Sequence, residues 1–353
     1  MAAGAQGPVV SRRLILTVPA AVAAAALALA GCRNGAHDTP GRPRTSSQPG
    51  PSADDLARAR AATSAARLRD LAARVHPPLT ARQRALLAQV AAVHRAHLSA
   101  LGAPTPSPTW SPATGTPTAT GTPTATATPT ATEPVPLSRL VAAEAAASQE
   151  ALDDVASTSP AMATLLARIA AARALDARLL AVAAGLKPPA PLNASPARAA
   201  ATATTATPTT SAPTTTALPA AVLDALRRRL AGLHAAVFAY GVIRAQLSGT
   251  DARTADGLWA EHVRQRDELE TRLVTAGITP PAAEPAYDVG AVHDRAQALA
   301  LATRVEAGLA ELAAADVGAL TGQWRMAAAV DLAEAAQRTA DWTGRPQALP
   351  GNP

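Results

Sequence analysis

"AAVLDALRRRLAGLHAAVFAYGVIRAQLS", residues 220–248, places Leu223, Leu226, Leu230, Leu233, Val237, Tyr240 and Leu247 at steps that are multiples or mixtures of three and four. That spacing puts the large apolar side chains on one stripe of a helix, the pattern of a bundle member rather than of a strand. Working outward, residues 252–276 repeat the pattern with Leu258, Leu269 and Leu273, and Gly277 stands where a helix C-terminus wants a left-handed residue. The connection "PPAAEPAYDVG" is long enough to run from one end of a bundle to the other. Helices are then expected over about 292–314 and 317–342. The reading is a four-helix bundle with one long crossover between its second and third helices.

The preceding half has the same texture. Residues 54–101 read as two helical pieces broken by "HPP" at 76–78, the first with Leu56, Leu68 and Leu71. The second is capped by Thr80 and carries Leu86, Leu87, Val90, Val93 and Leu98. Two more helices are expected over 137–155 and 161–184. Between the pairs lies "PTPSPTWSPATGTPTATGTPTATATPTATEPVP", residues 104–136, where proline removes backbone donors and threonine and alanine offer little to bury. This tract is expected to be disordered, either a bare spacer or a carrier of O-linked sugar. The four helices around it are expected to form one bundle, because two separate hairpins would bury too little surface to fold alone.

Composition agrees. Hydrophobic residues make up 48% of the chain but aromatics only 2%, so the apolar share is alanine, leucine and valine, which favour helix. The expectation is an all-α protein of two helical bundles. The formal charge is +6, and Lys187 is the only lysine. Its arginines are spread through the helices rather than gathered in a patch, so nucleic acid is not an expected partner.

The N-terminus has its own pattern. Arg12 and Arg13 precede an Ala-rich apolar run that ends in Leu29-Ala30-Gly31-Cys32. At about 17 residues the run is marginal for a membrane span. Leu29-Ala30-Gly31-Cys32 resembles the lipobox of bacterial lipoproteins, which implies that Cys32, the only cysteine, becomes the lipidated first residue of the mature chain and that the protein sits on the extracytoplasmic face of the cell membrane, held by lipid. Ser11-Arg12-Arg13-Leu14-Ile15-Leu16 resembles a twin-arginine export signal, and reads equally as an ordinary signal peptide with two arginines. With Cys32 lipidated no disulfide forms.

The domain plan is therefore a signal peptide over 1–31, a flexible tether over 32–52, and an N-terminal bundle over 53–186 interrupted by the loop 103–136. An Ala/Thr/Pro linker follows over 187–217, then the second bundle over 218–346 and a tail over 347–353.

"LHAAVFAYGVIRAQL", "HVRQRDEL", "TPPAAEPAYDV", "ALALATRVEAGLAEL" and "GRPQALPGNP" together resemble the ferritin-like domain of unknown function found in lipoproteins of high-GC Gram-positive bacteria. The likeness covers roughly residues 218–353, and the first bundle resembles the companion helical region of such proteins. Di-iron bundles of the ferritin-like class take one Glu from each of two helices and a Glu-x-x-His pair from each of the others. Here Leu233 and His234 stand on the first helix, Glu261 and His262 are adjacent and point about 100° apart, Glu306 is suitably placed on the third, and Asp331 and Glu334 lack a histidine partner. No cofactor and no catalysis are expected. The expected role is binding or scaffolding with a partner in the cell envelope.

The competing reading is a metal-binding or redox site built from His234, His262, Glu306 and Asp331, against their being hydrogen-bonded bundle residues with His262 or Arg266 paired to Glu306. His94 and His97, one turn apart, are expected on a solvated face, with a metal pair as the alternative. Gly241 is expected at a close helix contact, Phe238 and Tyr240 in the core or at its rim. Trp259, Trp324 and Trp342 are expected to fill gaps. No nucleophile elbow, phosphate-binding glycine loop or H-E-x-x-H is present.

Overall fold

Ser52 and Thr80 each close a reciprocal capping box, with Asp55 and Gln83 respectively, and so fix where the first two helices begin. The computed structural model describes residues 50–76, 78–102, 135–194 and 218–352. The export segment with Arg12, Arg13, Leu29, Ala30, Gly31 and Cys32 lies outside the described residues, as do nearly all of the tether, all but the ends of the Thr/Pro loop, and residues 195–217 of the linker.

Among the described residues there are eight helices and no strand: α1 Ala53–Ala73, α2 Ala81–Ala100, α3 Leu137–Val155, α4 Pro160–Ala183, α5 Ala220–Arg244, α6 Gly249–Thr275, α7 Arg295–Ala319 and α8 Gly322–Thr343. The all-α reading holds. The chain leaves α2 at Leu101, whose carbonyl accepts from Arg58 near the start of α1. It re-enters at Val135, which donates to Arg74 at the other end of α1. The connection from α2 to α3 therefore joins opposite ends of the first four-helix unit. In the second unit residues 277–294 make the equivalent connection from α6 to α7.

The break between α7 and α8 falls later than the sequence pattern suggested. Val317 and Gly318 remain helical, and the chain turns at Leu320 and Thr321, ahead of Gly322 with φ 56°. A positive φ suits glycine, and Gly318 has no such conformation to mark it as a break. Leu56, expected on the inner stripe of α1, is exposed. The buried face of that helix is Ala57, Ala61, Ala65, Leu68, Leu71 and Ala72.

The two units are not beads on a string. Ala163, Leu166, Ala167, Ala170 and Ala171 of α4 belong to one continuous core with Ala310, Ala314 and Val317 of α7 and Ala329, Leu332, Ala333 and Ala336 of α8. Alanine at the contact lets helix axes approach closely, so the seam between units is packed like the interior of either. Buried Arg325 ties the seam by donating to Leu320 O at 2.7 Å and to Thr158 O at 2.9 Å. The final residues also dock. Leu349 packs on the shared core, and Arg168 of α4 donates to Gly351 O at 2.7 Å and Asn352 Oδ1 at 2.9 Å. The start of the linker folds back too, with Leu192 buried and Asn193 O accepting from Gln149.

The units repeat one register. Arg60 on α1 pairs with Asp154 of α3, and Arg228 on α5 with Asp316 of α7. Thr80 and Ser248 are the N-caps of α2 and α6, and His94 and His262 are buried along those helices. One interval separates the members of all three pairs, Arg60 and Arg228, Thr80 and Ser248, His94 and His262. Glu144 precedes buried Val155 by the interval that separates Glu306 from buried Val317. Both last helices carry Arg-x-x-Asp, at Arg173 to Asp176 and at Arg338 to Asp341.

Candidate functional site

Each unit buries a histidine of its second helix against a glutamate of its third. In the C-terminal unit Glu306 lies between Ala302 and Ala310 on the inner face of α7 and is fully buried. His262 Nε2 approaches Glu306 Oε1 at 2.8 Å, the Tyr240 hydroxyl donates to the same oxygen at 2.6 Å, and Arg338 Nε donates to Oε2 at 2.8 Å. Trp342 Nε1 donates in turn to the Tyr240 hydroxyl at 3.0 Å. Burial alone would raise the Glu306 carboxyl. The hydrogen bond and charge of His262, the charge of Arg338 and the Tyr240 hydroxyl outweigh it, so the group is held below its ordinary range. Tyr240 is pushed upward, first by burial and then by the charge of Glu306.

The four residues of the competing metal reading do not converge. His262 and Glu306 meet, but His234 Nε2 stands 3.5 Å from Glu270 and Asp331 is in contact with Arg229. His234 is itself buried but faces Glu270 of α6, and Asp331 faces Arg229 of α5, so neither joins the pair. Arg266 bonds Asp267 rather than Glu306, whose cationic partner is Arg338. The dinuclear metal site that a ferritin-like bundle implies does not fit these donors. Both Glu306 oxygens are occupied, and one of their partners is already a cation.

Other expectations divide. Tyr240 is core, Phe238 is a rim residue against Tyr287, and Trp259 and Trp324 lie against the guanidinium groups of Arg244 and Arg272. The close helix contact is at Gly232, where a Cβ would stand 2.9 Å from Leu312, while Gly241 has open space.

The N-terminal unit holds the arrangement that sequence reasoning missed. His94 and His97 are both fully buried, not solvated. His94 Nε2 lies 2.6 Å from Glu144 Oε1, and His97 Nε2 lies 2.7 Å from the carbonyl oxygen of Ala348, in the C-terminal tail. Because that carbonyl can only accept, Nε2 of His97 carries the hydrogen. Asp176 of α4 is fully buried beside them. Among the described residues, His94, Glu144 and Asp176 are the one group of three whose ligand atoms all lie within 4.8 Å of one another.

This cluster is short of partners. Glu144 Oε2, both Asp176 carboxylate oxygens and the Nδ1 atoms of His94 and His97 have no hydrogen bond. The Arg173 guanidinium, also buried, donates to Ala147 O and Ala61 O. Burial, then the charge of Glu144, pushes the Asp176 carboxyl well above the carboxylate range, with Arg173 opposing. His97 is driven down to about 3 by burial, Arg173 and His94, against the pull of the Ala348 carbonyl. The signal in the sequence was phase. Glu144 falls in step with Leu140, Val141 and Ala147, and Asp176 in step with Ala172 and Leu180, all positions of the buried stripes.

No curated protein matches the chain. A crystal structure of a conserved hypothetical protein, rv2844, from Mycobacterium tuberculosis is similar at 29% identity and a TM-score of 0.34, over 36% of this chain and 98% of that one. Residues 225–353, which include nearly all of the second four-helix unit and its docked tail, match the family described as Domain of unknown function (DUF4439).

Proposed function

We propose that this protein is a lipoprotein of the bacterial cell envelope, anchored through Cys32 on the extracytoplasmic face, whose ferritin-like C-terminal unit serves binding or scaffolding and not catalysis. The observation that carries the reading is the closed node at Glu306. The carboxylate that a reactive bundle would expose is consumed by Tyr240, His262 and Arg338 and acts as a cross-brace between four helices. The anchor rests on Leu29-Ala30-Gly31-Cys32 closing an apolar run behind Arg12 and Arg13. No described helix is long and apolar enough to cross a membrane. Two or more acyl chains on Cys32 would hold the chain far more firmly than one.

Cells fed a clickable palmitate analogue test the anchor. The wild-type chain should label and stay with membranes, and Cys32→Ser should lose both properties. A labelled Cys32→Ser chain, or an unlabelled wild type that washes off, overturns it. Cross-linking in intact envelopes should capture a discrete partner with the full chain, and capture of the chain alone would count against scaffolding.

A further inference from the structure

We infer that the N-terminal unit binds one first-row divalent cation, of the manganese, iron(II) or zinc class, through His94, Glu144 and Asp176. The inference is independent of the anchor and of the scaffolding reading.

The two buried His–Glu nodes differ in how their carboxylates are satisfied. In the C-terminal unit, Glu306 has Tyr240 and His262 on one oxygen and Arg338 on the other. In the N-terminal unit the position in register with Tyr240 is Ala72, which has no donor, and the counterpart of Arg338 is Arg173, whose hydrogen bonds go to backbone carbonyls. Two donors are thereby withdrawn, and Asp176 is fully buried beside Glu144, whereas its counterpart Asp341 is part-exposed and paired with Arg178. Glu144 Oε2 and both Asp176 oxygens are left without partners in a fully buried cluster, and His94 Nδ1 is unpartnered as His262 Nδ1 is in the other unit. Buried polar atoms of that kind are rare and call for something to satisfy them.

The donor set names the class. One imidazole nitrogen and two carboxylate oxygens suit manganese, iron(II) and zinc, and no thiolate is present to favour softer ions. Ligands at about 2.0–2.2 Å from a shared ion stand at most about 4.4 Å apart. The observed limit of 4.8 Å closes to that with side-chain shifts of a few tenths of an ångström. Ligation requires deprotonated groups, so uptake releases the protons that the cluster holds.

Full-length chain stripped with chelator, then titrated with manganese, iron(II) under anaerobic conditions or zinc, tests this. Elemental analysis should return one ion per chain, and calorimetry in buffers of different ionisation enthalpy should show proton release. Asp176→Asn and Glu144→Gln should each weaken binding at least a hundredfold, while His234→Gln leaves it unchanged. Failure of the wild-type chain to retain any of the three ions overturns the proposal whether or not the variants fold. So does binding that survives both carboxamide substitutions, or that is lost in His234→Gln.

Discussion

Arg338 Nε donates to Glu306 Oε2 at 2.8 Å across the interface of α8 and α7, and this bond completes a carboxylate whose other oxygen already receives Tyr240 and His262. The carboxylate is fully buried and the guanidinium nearly so. Removing Glu306 therefore strips Tyr240, His262 and Arg338 of their shared acceptor in a medium of low polarity, which costs more than any one bond contributes.

Glu306→Ala should accordingly destabilise the full chain by about 3–5 kcal/mol, the range for breaking a buried charge pair. Glu306→Gln keeps an acceptor for Tyr240 and should cost about 1–3 kcal/mol. Urea unfolding followed by helical circular dichroism reads both. A loss under about 1 kcal/mol for Glu306→Ala would show that the node does not brace the four helices.

Much of the fold was legible because helices announce themselves locally. Thr80 and the apolar spacing of α2 and α5 need only nearby residues to be read, and the span of α3 was met residue for residue. What joins helices was less legible. Alanine faces look alike in sequence, so nothing distinguished Ala163 or Ala333, which meet in the shared core, from exposed alanines. His94, Glu144 and Asp176 stand on three helices, and their meeting depends on how α2, α3 and α4 pack. The common register of the two units was hidden for a similar reason. Its markers are a few polar residues in a background of alanine, and the partner of each, such as Asp154 for Arg60, is remote in the chain.

Glycines separate backbone entropy from packing. Gly241 sits in α5 with open space where a Cβ would stand, so Gly241→Ala should stabilise by about 0.5–1 kcal/mol through helix propensity. Gly351 has φ 70°, and a Cβ there would stand 2.6 Å from Ala310 O. Backbone cannot yield as a side-chain end can, so Gly351→Ala should destabilise by about 1–3 kcal/mol and undock the tail. Loss of protection at the tail amides in hydrogen exchange would report the undocking, and unchanged protection would refute it.

His97 makes the seam sensitive to acid. Its pKa falls from 6.5 to about 3 on folding, so between those values the unfolded chain binds more protons than the folded one. Stability from this group is fully present above about pH 6.5 and is lost as pH falls toward 3, at up to about 1.4 kcal/mol per pH unit. Glutamine can donate to Ala348 O without titrating. His97→Gln should therefore show a shallower loss over that window, with unfolding midpoints in urea from pH 7 to pH 4 as the measurement. Parallel curves for the two chains would remove His97 as the cause.

Asp176 works with the opposite sign. Burial and the neighbouring Glu144 raise its folded pKa well above the ordinary 3.8, so above that value the folded chain holds a proton that the unfolded chain has released. Stability from this group is greatest below about pH 4 and declines as pH rises through the folded pKa. Asparagine has nearly the same shape and no charge to bury. In chelator-treated protein Asp176→Asn should then be at least as stable as the wild type at neutral pH, and its advantage should vanish on acidification. Divalent cation reverses the ranking, because only the wild type gains from ligation. Thermal unfolding of both chains, with and without manganese, reads all of these terms. A variant less stable than the wild type even in chelator would mean that the aspartate is a structural hydrogen-bond partner and not a ligand in waiting.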